Sequence, residues 1–147
     1  MENKLIWLDL EMTGLDPNSE RIIEIFTAVT DENLTEIIEG PDLVIKQPNE
    51  ILDQMDEWNQ EHHKKSGLID EVKRSVITQE DAEAMTLDFL SQHVGKNVSP
   101  LCGNTVWHDR KFLTLYMPQL EDYFHYRVID VSSVKELTKR WRPDATK

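Results

Sequence analysis

Two carboxylates follow a short apolar segment near the start of the chain. Asp9 and Glu11 are separated by one residue and come at the end of the apolar residues 4–10. In a β-strand, side chains alternate between the two faces, so both acids point to one side while Leu8 and Leu10 point to the other. Carboxylates are rarely buried unless they are paired or bound to a metal, and a glycine-containing turn follows these two. The pattern predicts a divalent-cation site with oxygen ligands at the end of a strand.

A third acid, Asp109, follows Asn104 by five positions in a segment that favours a helix. Taken alone, Asp109 is explained as an acid near a helix N-terminus, where the helix dipole stabilises it, and Asn104 as a helix N-cap. For Asp9 and Glu11, the competing interpretation is that the first strand ends at Leu8 and that both acids are solvated loop residues. The single residues leave these alternatives open.

Composition limits what such a site can bind. The 147 residues include 16 Lys and Arg against 28 Asp and Glu, which gives a formal net charge of −12. This balance argues against a protein that holds long duplex nucleic acid through many phosphate contacts, but bound cations can still hold one or two phosphates locally. Cys102 is the only cysteine, so an intramolecular disulfide is excluded. Without a long apolar run or signal-peptide features, a cytoplasmic protein with no membrane contact is expected.

The pattern along the chain predicts a strand meander followed by alternating helices and strands. Strands are predicted over residues 4–10, 21–31, and 34–39 with 43–45, the last broken at Gly40 and Pro41, and the first is expected to be covered on both faces. Two short helices are predicted next, the first including Ile51, Leu52, Met55 and Trp58, the second including Leu68, Ile69, Val72 and Val76. The remaining predictions are a helix opened by a capping box at residues 78–81 and ended by Gly95, a strand over 99–104, a helix over 106–116, a strand over 126–129 and a helix over 131–141. This order indicates one α/β domain over residues 1–147 with a mixed sheet.

Three segments together resemble a known enzyme family. Residues 6–17 resemble the first motif of the DEDD exonucleases and, more narrowly, of the oligoribonucleases. Residues 103–113, with Asn104 and Asp109, resemble the second motif, and residues 123–132 are similar to a further family segment. Several dense motifs in the family's order are a specific signal. The resemblance covers essentially the whole chain and implies an RNase H-like mixed β-sheet flanked by helices.

The resemblance also implies a reaction. It implies a 3′-to-5′ exoribonuclease that hydrolyses short single-stranded RNA, especially dinucleotides, to 5′-mononucleotides with two Mg²⁺ or Mn²⁺ ions. Asp9, Glu11 and Asp109 would then be the catalytic and metal-binding residues, with Asp9 bridging both ions. A homodimer is implied as well. The alternatives are a nucleotide-binding relative without catalysis and an exonuclease that acts on DNA ends.

Substrate contacts follow from the same resemblance. Positions that sandwich the bases in the family are matched by Leu15 and Trp58, although Trp58 is equally explained as a core residue of its helix. Positions near the 5′ phosphate, whose recognition would favour dinucleotides, are matched by His63, Thr105, Arg127 and Ser132. Tyr126 matches a position that the partner subunit presents.

One family motif has no counterpart in the sequence. The third motif, a general-base His followed five positions later by a metal-binding Asp, lies downstream of the segment that resembles residues 140–143, and the sequence ends at Lys147. His125 and Asp130 have that spacing, but their odd separation puts them on opposite faces of a strand. His108 is about 100° around its helix from Asp109. We interpret the chain as an exonuclease domain truncated at its C-terminus, either a fragment or a shortened relative, and expect weak metal binding and reduced turnover.

Overall fold

A five-stranded mixed sheet organises residues 3–146, which the computed structural model describes. The strands are β1 (Leu5–Met12), β2 (Ile22–Thr30), β3 (Ile37–Val44), β4 (Leu101–Gly103) and β5 (Val128–Asp130), and their order across the sheet is β3-β2-β1-β4-β5. β1 pairs with β2, and β2 with β3, in the antiparallel sense, whereas β4 is parallel to both β1 and β5. The predicted meander and mixed sheet are therefore confirmed.

Helices cover parts of both faces of the sheet. They are α1 (Asn49–Asp53), α2 (Glu57–Lys65), α3 (Leu68–Arg74), α4 (Gln79–Ser91), α5 (Val106–Tyr116), α6 (Pro118–Glu121) and α7 (Val131–Trp141), and a 3₁₀ turn spans Pro143–Ala145. Ile22 belongs to the main core, which α4, α5 and α6 help to build, while its neighbour Ile23 packs with residues of α1 and α3. In β3, Leu43 belongs to the main core and its neighbour Val44 packs against the second, and adjacent strand residues point to opposite faces, so the two cores lie on opposite sides of the sheet. Within residues 3–146, no helix is both long and apolar enough to span a bilayer.

β1 shows the predicted alternation, but only one of its faces is fully covered. Leu8 and Leu10 are buried in the main core, whereas Asp9 on the other face is exposed. An open depression of about 400 Å³ lies on that side, lined by residues that include Trp7, Asp9 and Phe26. The expectation of cover on both faces is therefore wrong for β1, because its apolar run includes a face that stays open to solvent beside the acids.

The third strand is continuous where a break was predicted. β3 contains both Gly40 and Pro41, at the edge of the sheet. An edge strand tolerates proline because one of its sides has no strand to bond. Gly40 is needed for packing, since a Cβ there would lie 2.6 Å from the Phe89 ring. The glycine and proline are thus compatible with an edge strand and do not end β3.

The helical region after β3 also differs from the prediction. Three helices occur where two were predicted, and Met55 is buried in the turn between α1 and α2. Asp56 caps α2 by accepting a hydrogen bond from the Asn59 amide at 2.8 Å. Val76, assigned to the second helix, lies beyond α3 and is exposed. The capping box at the start of α4 is confirmed, but α4 ends at Ser91, four residues before the glycine predicted to end it.

Candidate active site

The three predicted carboxylates come from β1 and α5. The strand β1 continues to Met12, so Asp9 and Glu11 are strand residues and the solvated-loop interpretation is wrong. Asp109 lies in the first turn of α5 and is 7% exposed. Gly103 allows the β4–α5 turn to come close to β1, because a Cβ at that position would lie 2.8 Å from the Leu8 carbonyl oxygen. The parallel pairing of β1 with β4 thus carries Asp109 toward the two acids of β1.

Burial raises the pKa of all three acids, and repulsion between the acids adds to the rise for Asp109 and Glu11. Burial raises the pKa of Asp109 to about 7, with additional repulsion from Asp9, Glu11 and Asp130 that outweighs a hydrogen bond with the Leu10 backbone. The pKa of Glu11 is raised by burial and by Asp9, against a smaller opposing effect of two histidines. Asp9 keeps solvent access, but partial burial of its carboxyl raises its pKa as well. These carboxylates are close enough to disfavour one another's charge.

The donor set fits divalent cations. Asp109 is buried, yet within residues 3–146 no lysine or arginine forms an ion pair with Asp9, Glu11 or Asp109. An uncompensated buried carboxylate is costly, and bound cations remove that cost. Carboxylate oxygens are the ligands that Mg²⁺ and Mn²⁺ prefer. The site therefore suits divalent ions that these oxygens would hold.

The raised pKa of Asp109 predicts how stability depends on pH without metal. The pKa of about 7 exceeds the ordinary aspartate value of 3.8, so the folded state binds the additional proton between these values. The contribution of Asp109 to stability is then fully present below pH 4 and is lost as the pH rises toward 7. As the pH rises from 4.5 to 7.5 in EDTA, we expect the free energy of unfolding to fall less for Asp109→Asn than for the unaltered chain. Thermal unfolding of both proteins measures this difference, and parallel pH profiles would contradict the prediction.

Two acids that the sequence patterns did not single out enlarge the cluster. Glu24 pairs with Glu11 across β1 and β2 and forms a side-chain hydrogen bond with Asp42 of β3. Burial, Asp42 and Glu11 raise the pKa of Glu24 to about 8. The sequence offered one signal for this site, because Glu24 is an acid among the apolar residues of β2. Its partners depend on strand register, which the sequence pattern did not specify.

Leu15 and Trp58, the two residues predicted to contact the bases, are both exposed. Leu15 is 80% exposed in the turn after β1, and Trp58 is 67% exposed on α2. The core interpretation of Trp58 is therefore wrong. Its indole ring stacks on His62, with 4.8 Å between centroids and 9° between planes. His108 donates a hydrogen bond from Nε2 to the Leu15 carbonyl at 2.7 Å, which ties the turn to α5.

Asp130 connects two of the predicted phosphate-site residues. Its Oδ1 atom accepts hydrogen bonds from the Thr105 amide at 2.8 Å and from the Ser132 hydroxyl at 2.7 Å. Thr105 has a left-handed backbone, with φ of 53°, and occupies the N-cap position of α5 without a side-chain capping hydrogen bond, so the interpretation of Asn104 as the N-cap is wrong. The structure thus places Thr105 and Ser132 on one carboxylate. The Asp130 carboxylate itself accepts hydrogen bonds from backbone amides and a hydroxyl group.

The other predicted substrate residues fall into two places. The Arg127 guanidinium lies 5.4 Å from the centroid of the Tyr126 ring, which is 74% exposed. His125 stacks on the same ring, with 4.5 Å between centroids, whereas Asp130 accepts a hydrogen bond from Thr105. His125 and Asp130, which have the spacing of the third motif, therefore face different neighbours. His63 lies elsewhere, since it is buried on α2 and its Nε2 donates to the Met12 carbonyl at 2.9 Å. The structure therefore places His63 on the Glu11 side of the site.

Sequence comparisons identify close relatives along nearly the whole chain. The exonuclease family model RNase_T matches residues 6–147. The chain is 59% identical over 143 residues to an oligoribonuclease of Shewanella loihica, which covers 97% of this chain and 79% of the relative. It is 55% identical over 145 residues to an oligoribonuclease of Chromobacterium violaceum, covering 99% of this chain and 80% of that protein.

Solved structures show the same fold in more distant proteins. Exonuclease I of Escherichia coli, solved in complex with a dT13 oligonucleotide, superposes with a TM-score of 0.69 at 16% identity, covering 97% of this chain and 31% of that one. Exonuclease I of Methylocaldum szegediense superposes with a TM-score of 0.66 at 17% identity, covering 97% of this chain and 30% of the other. These likenesses confirm the expected α/β exonuclease fold.

Proposed function

Because this chain belongs to the exonuclease family and, within it, to the oligoribonucleases, we propose that Asp9, Glu11 and Asp109 are its catalytic carboxylates. The chain is a 3′-to-5′ exoribonuclease that hydrolyses short oligoribonucleotides. The observation that supports the residue assignment most directly is the buried carboxylate of Asp109, which lies near two acids of β1 and forms no ion pair with a lysine or arginine of residues 3–146.

Members of this family use divalent metal ions, and we propose that two of them, Mg²⁺ or Mn²⁺, bind here. Asp9 would contact both ions, while Glu11 and Asp109 would complete the set of carboxylate ligands. Bound ions of this kind lower the pKa of a water molecule and stabilise the charge on the leaving 3′ oxygen. Asp109 must lose its proton to act as a ligand, so metal affinity rises as the pH passes through about 7. We assign no general base among residues 3–146.

The substrate residues then divide by the part of the dinucleotide that they contact. Leu15 and Trp58 are both exposed, and we propose that they sandwich the bases. The His108 hydrogen bond holds the Leu15 backbone in place for this contact. The Trp58 ring is fixed on one face by His62, which leaves the other face for a base.

We propose that the 5′ phosphate binds near Asp130, whose hydrogen bonds fix the positions of two neighbouring residues. Thr105 and Ser132 are both hydrogen-bonded to Asp130, and Arg127 follows Tyr126 directly before β5. A guanidinium and hydroxyl groups suit a phosphate monoester. Recognition of that terminal charge favours dinucleotides over longer chains. His63, which we also propose as a substrate contact, approaches from the Glu11 side.

A homodimer would use the exposed apolar face of α7. Val134, Leu137 and Trp141 are exposed on this helix, and no residue of α7 is buried. Tyr126, 74% exposed, is available to a second subunit. We expect light scattering to give twice the monomer mass of 17.2 kDa, and we expect Leu137→Asp to shift the measured mass toward that of the monomer. A monomeric unaltered chain would contradict the dimer.

The cytoplasmic location and the single domain over residues 1–147 stay predictions.

Release of mononucleotides from a labelled diribonucleotide tests the function. The 147-residue chain is incubated with the diribonucleotide and Mn²⁺, and the matching deoxyribonucleotide is the control. We expect 5′-mononucleotides from the ribonucleotide and less product from the deoxyribonucleotide. Binding without product at high protein concentration would favour the nucleotide-binding alternative for this chain, and faster cleavage of the deoxyribonucleotide would favour the DNA-end alternative.

A further inference from the structure

A second set of possible metal ligands lies beside the catalytic carboxylates. Glu11, His62 and His63 each offer one ligand atom, and these atoms all lie within 4.8 Å of one another. The carboxylate comes from β1 and the two imidazoles from adjacent positions of α2. Imidazole and carboxylate donors together suit Zn²⁺ and similar first-row metal ions, whereas Mg²⁺ prefers oxygen ligands alone.

We propose that Glu11, His62 and His63 form a binding site for a first-row transition metal ion, Zn²⁺ in particular. Bonds of about 2.1 Å in a tetrahedral arrangement place ligand atoms about 3.4 Å apart, so the separations between ligand atoms shorten on binding by up to about 1.4 Å. His62 is exposed and can make this movement, whereas His63 is only 2% exposed. Water completes the coordination, as in zinc sites with three protein ligands.

The hydrogen bond of His63 prepares this residue as a ligand. Its Nε2 atom lies 2.9 Å from the Met12 carbonyl oxygen, which can only accept a hydrogen bond. Nε2 therefore carries the proton, and the proposed site would bind the metal ion through Nδ1, which has the free lone pair. A backbone carbonyl that accepts from the second nitrogen is the usual support of a histidine ligand, because it fixes the ring and its tautomer.

The site connects the catalytic and base-binding parts of the protein. His62 stacks on Trp58, and Glu11 is one of the three proposed catalytic carboxylates. A Zn²⁺ ion held by these ligands withdraws Glu11 from the Mg²⁺ or Mn²⁺ ions and moves the ring that supports Trp58. Zn²⁺ thus inhibits hydrolysis, and this consequence, unlike Zn²⁺ binding itself, rests on the proposed function.

Calorimetric titration with Zn²⁺ tests the site in the 147-residue chain. His62→Phe keeps an aromatic ring next to Trp58 and removes the ligand nitrogens. His93→Phe is the matched control, since its ring packs against Phe89 with 5.0 Å between centroids and is not part of the cluster. We expect Zn²⁺ affinity to fall at least about 10-fold in His62→Phe, because even supporting residues of metal ligands contribute that much, and to stay unchanged in His93→Phe. Equal affinities in all three proteins would overturn the proposal.

A second measurement uses the unaltered chain, so it does not depend on how a variant folds. Zn²⁺ should protect His62 from carbethoxylation by diethyl pyrocarbonate, as read by mass spectrometry. Modification of His62 at an unchanged rate in saturating Zn²⁺ would also reject the site.

Inhibition is measured separately on Mg²⁺-supported hydrolysis of a diribonucleotide. We expect His62→Phe to need at least about 10-fold more Zn²⁺ than the unaltered chain for half-inhibition. The two proposals can fail independently. If the chain hydrolyses the diribonucleotide but His62→Phe and the unaltered chain bind Zn²⁺ equally well, only the zinc site is rejected. If Zn²⁺ binding depends on His62 but no condition gives hydrolysis, only the proposed function is rejected.

Discussion

Asp9→Asn is expected to remove the stabilisation by Mg²⁺ and to lower mononucleotide release by at least about 100-fold, since even supporting groups of a metal site contribute 10- to 100-fold. Asp9 is the proposed ligand of both ions, and an amide lacks the negative charge that balances them. At 100 times its dissociation constant, a ligand stabilises the folded state by about 2.7 kcal/mol, which for a chain of this size raises the melting temperature by about 5 to 10 °C. Thermal unfolding with Mg²⁺ and with EDTA measures this shift.

Asp122→Asn is the matched control for this experiment. Asp122 is an exposed acid that forms an ion pair with Lys96 at 2.9 Å, outside the acidic cluster. An exposed pair contributes little to stability, so this variant should keep both the Mg²⁺ shift and the activity. If Asp9→Asn retained the full Mg²⁺ shift, Asp9 would not be a metal ligand.

Trp58→Ala is expected to raise KM for a dinucleotide by about 5- to 150-fold while kcat changes little. Stacking of one base on an aromatic ring contributes about 1–3 kcal/mol to binding, and that contact is made before and during the reaction. Trp58 is 67% exposed, so its replacement removes little core packing and the melting temperature should stay nearly constant. Steady-state kinetics with a diribonucleotide measure both constants.

Trp58→Phe separates stacking from other effects of the substitution. Phenylalanine keeps a flat ring against the base, so this variant should recover most of the lost affinity. A KM in Trp58→Ala equal to that of the unaltered chain would remove Trp58 from the base site, and a large loss of melting temperature would restore the core interpretation.

The carboxylate site could be predicted in large part from the sequence because its signals are local. Alternation along β1 places Asp9 and Glu11 on one face, and the structure keeps that arrangement to Met12. The capping box at α4 is equally local, since both of its hydrogen bonds lie within four residues. Such features depend on neighbours in the chain, which a sequence pattern displays directly.

The features that could not be predicted depend on contacts between distant segments. Helical spacing describes Trp58 equally well as a core residue or an exposed one, and the position of α2 decides between them. Glu24 meets Glu11 through strand register, and His62 meets Glu11 through the position of the same helix. Pro41 reads as a strand breaker unless its strand is known to be at an edge.

The parallel pairing of β1 with β4 has a consequence for when the enzyme gains its activity during synthesis. The antiparallel neighbour of β1 is the next strand in the chain, while Leu101, which pairs with Ile6, is translated much later. Contacts between distant segments form slowly because a long loop must close first. Asp109 follows that late strand, so a ribosome-bound chain has no complete acidic cluster until this segment has left the exit tunnel. The nascent protein therefore cannot assemble its acidic cluster before this segment emerges.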